Sequence, residues 1–189
     1  MSTITIVLTE GYSDWEIGVL IGTGRAFYDA DIRFVSPDGK GVASVGGLDV
    51  GGLERFVAPE AGVVVVCGGP MFESDVPPAI EAELRSAFDK GCAVAGICGG
   101  TLALARAGLL DDVRHTSNGA EYLAQVPGYR GQGHYVDQPA AVSDRRIITA
   151  PAPAPASFAQ EVLMASGVPA EAAGQVMGLL GMEHTRAGS

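Results

Sequence analysis

The chain has 189 residues, enough for one domain with a full core and short for two. Hydrophobic residues make up 47% and charged ones 18%, which excludes a disordered chain. The net charge of −10 argues against nucleic acid or an anionic membrane as partner, and no run of 18 apolar residues could form a transmembrane helix. Cys67, Cys92 and Cys98 are odd in number and lie at core-like positions, which points to a reduced, cytoplasmic setting. The N-terminus lacks a basic leader and reads as a first strand. There is no C-x-x-C, no H-E-x-x-H and no cluster with metal-ligand spacing, so neither a metal nor a cofactor is expected.

Residues 3–8 predict a first strand, and the loop 9–13 leads into a helix over 15–28 that Ser13 or Asp14 can cap. Residues 31–36 alternate as a second strand ended by the turn Pro37-Asp38-Gly39. Residues 41–54 hold short strands in a hairpin or crossover. The four valines within 61–67 mark a strand buried on both faces, as in a parallel sheet. A helix is expected over 77–90, a strand over 93–97, and a further short helix over 119–125. Strands are expected over 135–142 and 146–150 around a turn at Ser143-Asp144, then helices over 155–166 and 169–180. Residues 183–189 read as a polar, loose tail, leaving a single domain over 1–182. The Ala-Pro run over 150–156 is too short for a linker and reads as a rigid lead-in to a helix. Strands alternating with helices imply an α/β fold, a doubly wound, mostly parallel sheet of flavodoxin-like type with helices on both faces. The loops 9–16, 68–72 and 98–101 then meet at the carboxyl ends of the strands.

The chemistry centres on Gly96-Ile97-Cys98-Gly99-Gly100, which has the G-x-S-x-G spacing of a nucleophile elbow with sulfur in place of oxygen. The glycines relieve crowding where a strand turns directly into a helix, and the helix end is expected to favour a thiolate at Cys98. A small buried hydrophobe is the competing reading of Cys98, and the spacing weighs against it. Glu16 opens the first helix facing the elbow. It can donate a hydrogen bond or a proton to the sulfur, or merely complement the helix dipole, and both remain open. For Asp14, capping is favoured. Gly68-Gly69, with Gly99, can present backbone N–H groups as an oxyanion hole. Among the histidines, His115 could approach the site, His134 in a polar loop could reach a site or an interface, and His184 reads as a solvated tail residue. Met71 and Phe72 can line a pocket or simply pack, Trp15 can line the same pocket or serve an interface, and Cys67 and Cys92 read as packing.

With these pieces placed, the chain resembles the ThiJ/PfpI superfamily over about residues 3–165. The resemblance rests on Asp14-Trp15-Glu16, Cys67-Gly68-Gly69-Pro70, Ala95-Gly96-Ile97-Cys98-Gly99-Gly100, His115-Thr116-Ser117-Asn118 and Ile147-Ile148-Thr149-Ala150. It implies a class I glutamine amidotransferase-like fold and a homodimer, with Cys98 as nucleophile, Glu16 as its carboxyl partner and Gly69 and Gly99 as oxyanion donors. Pro70 and Asn118 join Trp15 and Met71 around the pocket. The sequence departs from the family twice: the intracellular-protease branch has histidine where Gly99 stands, and other branches have one where Asn118 stands. His115, three residues earlier, faces the other way if that stretch is extended. The leading reading is a cysteine-dependent enzyme that hydrolyses or hydrates an amide-, carbonyl- or isonitrile-like group of a small molecule. The alternatives are a redox or stress-response protein with an oxidisable Cys98, or a binding module without turnover.

Overall fold

The computed structural model describes residues 1–185. Nine strands and six α-helices follow one another as β1 (Ile4–Val7), α1 (Asp14–Tyr28), β2 (Ile32–Ser36), β3 (Val42–Ala43), β4 (Asp49–Val50), β5 (Glu54–Arg55), β6 (Val63–Val66), α2 (Glu81–Asp89), β7 (Ala93–Ile97), α3 (Gly100–Arg106), α4 (Ala120–Ala124), β8 (Val142–Asp144), β9 (Ile147–Ala150), α5 (Pro155–Ser166) and α6 (Ala170–Thr185). The main sheet has the order β5-β2-β1-β6-β7-β9-β8. It is parallel except for β8, which runs antiparallel to β9 at the edge. β3 and β4 form a separate hairpin.

The valine run explains the centre. All four valines of β6 are fully buried, and the strand alternation sends Val63 and Val65 to one face and Val64 and Val66 to the other. The first face packs against Ile17 and Leu20 of α1 and Phe158, Val162 and Leu163 of α5. The second packs against Leu84 of α2, Leu102 and Leu104 of α3 and Leu123 of α4. Burying such a side chain stabilises the fold by about 1.5–3 kcal/mol, so this strand alone anchors both layers. From β1 the chain first builds outward to β2 and β5, then crosses back to β6 on the other side. The loops after β1 and β6 therefore part at the carboxyl edge and leave a crevice between them.

Several local expectations are corrected. Helix α2 begins at Glu81, after Pro77 and Pro78, not at residue 77. Residues 135–141 are not a strand: Tyr135 makes one isolated bridge to His115, and Pro139 breaks the ladder. Ser143 and Asp144 belong to β8, and the turn falls at Arg145-Arg146. Ser13 occupies the cap position of α1 without a side-chain capping hydrogen bond. Asp14 does not cap either; its Oδ2 accepts from the Gly46 N–H at 2.9 Å and ties the helix start to the β3–β4 hairpin. Helix α6 runs to Thr185, past the expected start of the loose tail; residues 186–189 lie outside the described ones.

Candidate active site

The elbow is made by its glycines. β7 delivers Cys98 with its N–H on Ala150 O at 3.0 Å, and the chain then turns at once into α3, whose Thr101 N–H returns to Cys98 O at 3.0 Å. That reversal forces Cys98 to φ 52°, the left-handed region that costs a residue with a Cβ about 1–2 kcal/mol. The helix must start close to β6: a Cβ on Gly100 would run into Val66 O, and one on Gly96 would meet Gly100 C at 3.0 Å. Gly99 packs on Gly69, where an added Cβ would lie 2.9 Å from Gly69 O. These contacts aim a partly exposed sulfur into the crevice.

Glu16 is fully buried at the start of α1. Its Oε2 accepts from the Gly68 N–H at 2.8 Å, while Oε1 has no hydrogen-bond partner. Gly68 is squeezed between the Glu16 and Cys98 side chains, since an added Cβ would collide with Glu16 Oε2 and come within 2.9 Å of Cys98 Cβ. Burial raises the Glu16 carboxyl to about 7, against the opposing influence of the nearby Cys98 thiol, the Gly68 N–H and the Ser13 hydroxyl, of which only Gly68 makes a hydrogen bond of ordinary length. Burial likewise pushes the Cys98 thiol up to about 11; Glu16 adds to the rise, and Asn118 and the Gly99 N–H oppose it. The thiolate expected from the helix end is therefore corrected. α3 has only seven residues, and desolvation beside a carboxyl outweighs its dipole. The two groups titrate as a pair, losing one proton near neutrality and the second well into the alkaline range.

Asn118 donates from Nδ2 to Cys98 Sγ at 3.2 Å. His115 does not reach the sulfur. Its Nδ1 must donate to Val113 O at 2.8 Å, so its Nε2 accepts from the Tyr129 hydroxyl at 2.6 Å. Both ring nitrogens are spent and burial pulls its pKa down, so this histidine is a core hydrogen-bonding group. His134 lies exposed in the short 3-10 helix Gln132–His134, and the His184 side chain lies outside the described residues. Pro70 is exposed and packs near Gly11. Met71 faces a cavity of about 380 Å³ shared with Thr9, Glu10 and Lys40. Trp15 is 53% exposed at the start of α1. One group went unnoticed in the sequence: the Tyr122 hydroxyl, 3.6 Å from a Cβ placed on Gly99, donates to Glu73 Oε1 at 2.6 Å. Nothing local in α4 signals that contact. Among the described residues no group of His, Cys, Asp and Glu is placed to hold a metal, and no helix is long and apolar enough to cross a membrane.

A cysteine in a glycine elbow thus lies beside a buried carboxyl from the first helix. The DJ-1/PfpI family model matches residues 2–165. The chain belongs to the DJ-1/PfpI family. It is 35% identical over 162 residues to the uncharacterized protease YoaZ of Bacillus subtilis, covering 80% of this chain and 77% of that protein. A second relative from that bacterium, the uncharacterized protease YdeA, is 28% identical over 86% of this chain and 82% of its own. Among solved structures, a DJ-1 superfamily protein from Agrobacterium tumefaciens superposes with a TM-score of 0.90 at 34% identity, covering 97% of this chain and 100% of that one. A thiJ/pfpI family protein from Bacillus anthracis follows with 0.79 at 28%, covering 94% and 97%. The mostly parallel sheet and the superfamily read from the sequence agree with these matches.

Proposed function

We propose that this DJ-1/PfpI member is a cysteine-dependent hydrolase or hydratase of small molecules. The observation that carries the reading is the unpartnered Oε1 of Glu16, buried beside a sulfur that is itself partly open to solvent. A buried carboxylate oxygen without a partner is costly, and a proton on it removes the cost. Glu16 is thus suited to hold a proton near neutrality and to release it to a reacting group. For an amide, ionised Glu16 takes the thiol proton as the sulfur attacks the carbonyl carbon, and the oxygen's charge falls to the N–H groups of Gly69 and Gly99. The Gly99 N–H, which faces the sulfur before reaction, is freed for this as the S–C bond forms. Glu16 protonates the departing amine, leaving a thioester on Cys98. Water then adds to the thioester carbon, its proton passes to Glu16, and the acid leaves with the sulfur restored.

The two relatives are named proteases, but among the described residues no histidine hydrogen-bonds Cys98, and a small, activated substrate suits the site better than a peptide bond. The same donors would also hold an oxidised sulfur, which keeps a redox role as the second reading. Trp15, Val45 and Leu48, all exposed beside the Asp14–Gly46 contact, offer an apolar surface for a second copy of the chain. Three free thiols fit a reducing cytoplasm.

The test uses 4-nitrophenyl acetate and intact-mass spectrometry. Wild type is expected to form a +42 Da adduct, ~42 being the mass an acetyl group adds, on Cys98, and to turn it over. Cys98→Ser forms none, and Glu16→Gln forms it but clears it ~10²-fold more slowly, as for loss of a general acid-base group. Equal clearance in wild type and Glu16→Gln would remove Glu16 from the mechanism. No adduct at all would leave the redox reading, tested by titration with hydrogen peroxide.

A further inference from the structure

The elbow and Glu16 leave one feature of the site unaccounted for, the segment His115-Thr116-Ser117-Asn118, every residue of which is tied down. His115 is fixed by Val113 and Tyr129, and Thr116 N–H donates to Thr149 Oγ1 at 2.8 Å. Thr101 uses its hydroxyl hydrogen on Cys98 O at 2.6 Å, so Ser117 Oγ donates to Thr101 Oγ1 at 2.6 Å. The strand-like alternation that turns His115 into the core turns Asn118 toward the sulfur.

An amide at that place can present either of two ends, a donor or an acceptor, and only the donor suits a sulfur anion. Here the choice is made by the backbone. Asn118 Oδ1 accepts from the Ala152 N–H at 2.9 Å, which leaves Nδ2 for Cys98 Sγ at 3.2 Å. Ala152 lies between Pro151 and Pro153 in a turn closed by Ala154 N–H on Pro151 O at 3.1 Å. In the run over 150–156 only the alanines carry an N–H. The prolines stiffen the chain, and one alanine donor faces the site.

We propose that Asn118 is a catalytic residue of the Cys98 site, an un-ionisable donor to the sulfur anion, and that the Ala-Pro run positions it through the Ala152 N–H. This rests on the reading of Cys98 as the reactive centre. The donor does not titrate, so the proton balance at the sulfur is left to the groups that face it: Glu16 from α1, Cys67 at the end of β6 and Tyr122 from α4. Cys67 and Tyr122 are both raised by burial, so Glu16 alone exchanges protons near neutrality. A histidine at this place would add a second titration and could take a proton from the thiol; asparagine can only stabilise the anion once it exists.

The experiment is the pH profile of Cys98 alkylation by iodoacetamide in wild type and four variants: Asn118→Leu, Asn118→Asp, Ala152→Pro and Glu16→Gln. Asn118→Leu keeps the shape and removes the donor. It is expected to lower the alkylation rate at pH 7.5 about three- to tenfold and move the profile toward alkaline pH, since a hydrogen bond to a charged group is lost. Asn118→Asp moves it further by placing a second anion on the sulfur. Ala152→Pro removes one N–H at a turn position proline tolerates, and is expected to shift the profile in the same direction as Asn118→Leu although Asn118 is intact. Near-UV circular dichroism shows that each variant is folded. A profile for Asn118→Leu that overlays wild type overturns the assignment, and one for Ala152→Pro alone that overlays it overturns the role of the Ala-Pro run. Glu16→Gln separates the two readings: if its profile also matches wild type, the Cys98–Glu16 pair itself fails, and if it shifts while the Asn118 variants do not, only this inference falls.

Discussion

Two places in the molecule hold non-glycine backbone in the left-handed region within the same sheet, and their surroundings could hardly differ more. At the carboxyl edge, Cys98 at φ 52° is enclosed by Gly68, Gly69, Gly99 and Gly100 and by the buried Glu16. At the opposite edge, Arg145 at φ 47° and Arg146 at φ 69° form the exposed two-residue turn between β8 and β9. A two-residue hairpin loop favours primed turns, here with positive φ at both central positions, because their twist matches that of the strands. Nothing about the sheet demands it at Cys98; the demand comes from the abrupt passage of β7 into α3. Strain at the turn belongs to connectivity, and strain at the elbow belongs to the placing of a sulfur. Backbone angles alone would not tell them apart.

The sharpest way to break the comparison is to fill the space that makes the elbow possible. Gly100→Ala would drive a methyl group into the backbone carbonyl of Val66, in a central strand paired on both sides. Neither partner can yield as a flexible side-chain tip would. The expected loss is about 4 kcal/mol, in the range reserved for severe core overpacking, read from the urea midpoint. A loss below about 1 kcal/mol would mean that α3 can back away from β6 and that the elbow is not held by close packing.

The elbow was the more legible of the two regions in the sequence. Gly96, Cys98 and Gly100 are neighbours in the chain, so their spacing carries the geometry, and the apolar run at residues 93–97 gave the strand with its observed ends. Glu16 was legible for the same local reason, as a carboxyl at a helix start after β1. The hairpin misled. Ser143-Asp144 has turn composition, yet the pairing of β9 with β7, from Val94 with Ile147 to Ile97 with Ala150, sets where β9 begins and pushes the turn onto two arginines. Long-range register overrode local propensity. The bond from Ala152 to Asn118 was hidden for a similar reason. It joins residues 34 apart, and only the adjacency of the β9 end to the elbow brings them together. His115 had the right distance along the chain and the wrong face of it.

A second test separates the regions by pH. It acts on the elbow side alone, through Glu16. Its folded pKa of about 7 lies above the ordinary carboxyl value of 4.5, so the folded state holds a proton that the unfolded state releases across that window. Stability from this group is therefore fully present below about pH 4.5 and is lost as pH rises through 7. The span corresponds to about 3 kcal/mol. Glu16→Gln keeps the acceptor for the Gly68 N–H and cannot ionise. It is expected to be more stable than wild type at pH 8 by an amount of that order, and to match it near pH 4.5, by thermal melts across the range. A constant difference at all pH values would show that the variant acts through packing and that Glu16 is not held protonated.

The smallest effect expected lies at the turn, and it bears on what left-handed strain means there. Arg145 is exposed, and its side chain makes no hydrogen bond or ion pair among the described residues. Replacing it with glycine relieves a conformational cost of about 1–2 kcal/mol, offset in part by the greater freedom glycine gives the unfolded chain. A net gain of about 0.5 kcal/mol is expected for Arg145→Gly. Arg146 has the same backbone and the opposite outcome. Its Nη1 donates to Phe88 O and Cys92 O, each at 3.0 Å, and its guanidinium lies 4.4 Å from the centre of the Phe88 ring. Those contacts fasten the hairpin to the end of α2, so Arg146→Gly is expected to lose about 1 kcal/mol despite the same relief. If both variants gained equally, the side-chain contacts of Arg146 would carry no weight and the turn would be governed by backbone geometry alone. If both lost, the turn would resemble the elbow, a strained place that its surroundings hold for a reason beyond connectivity.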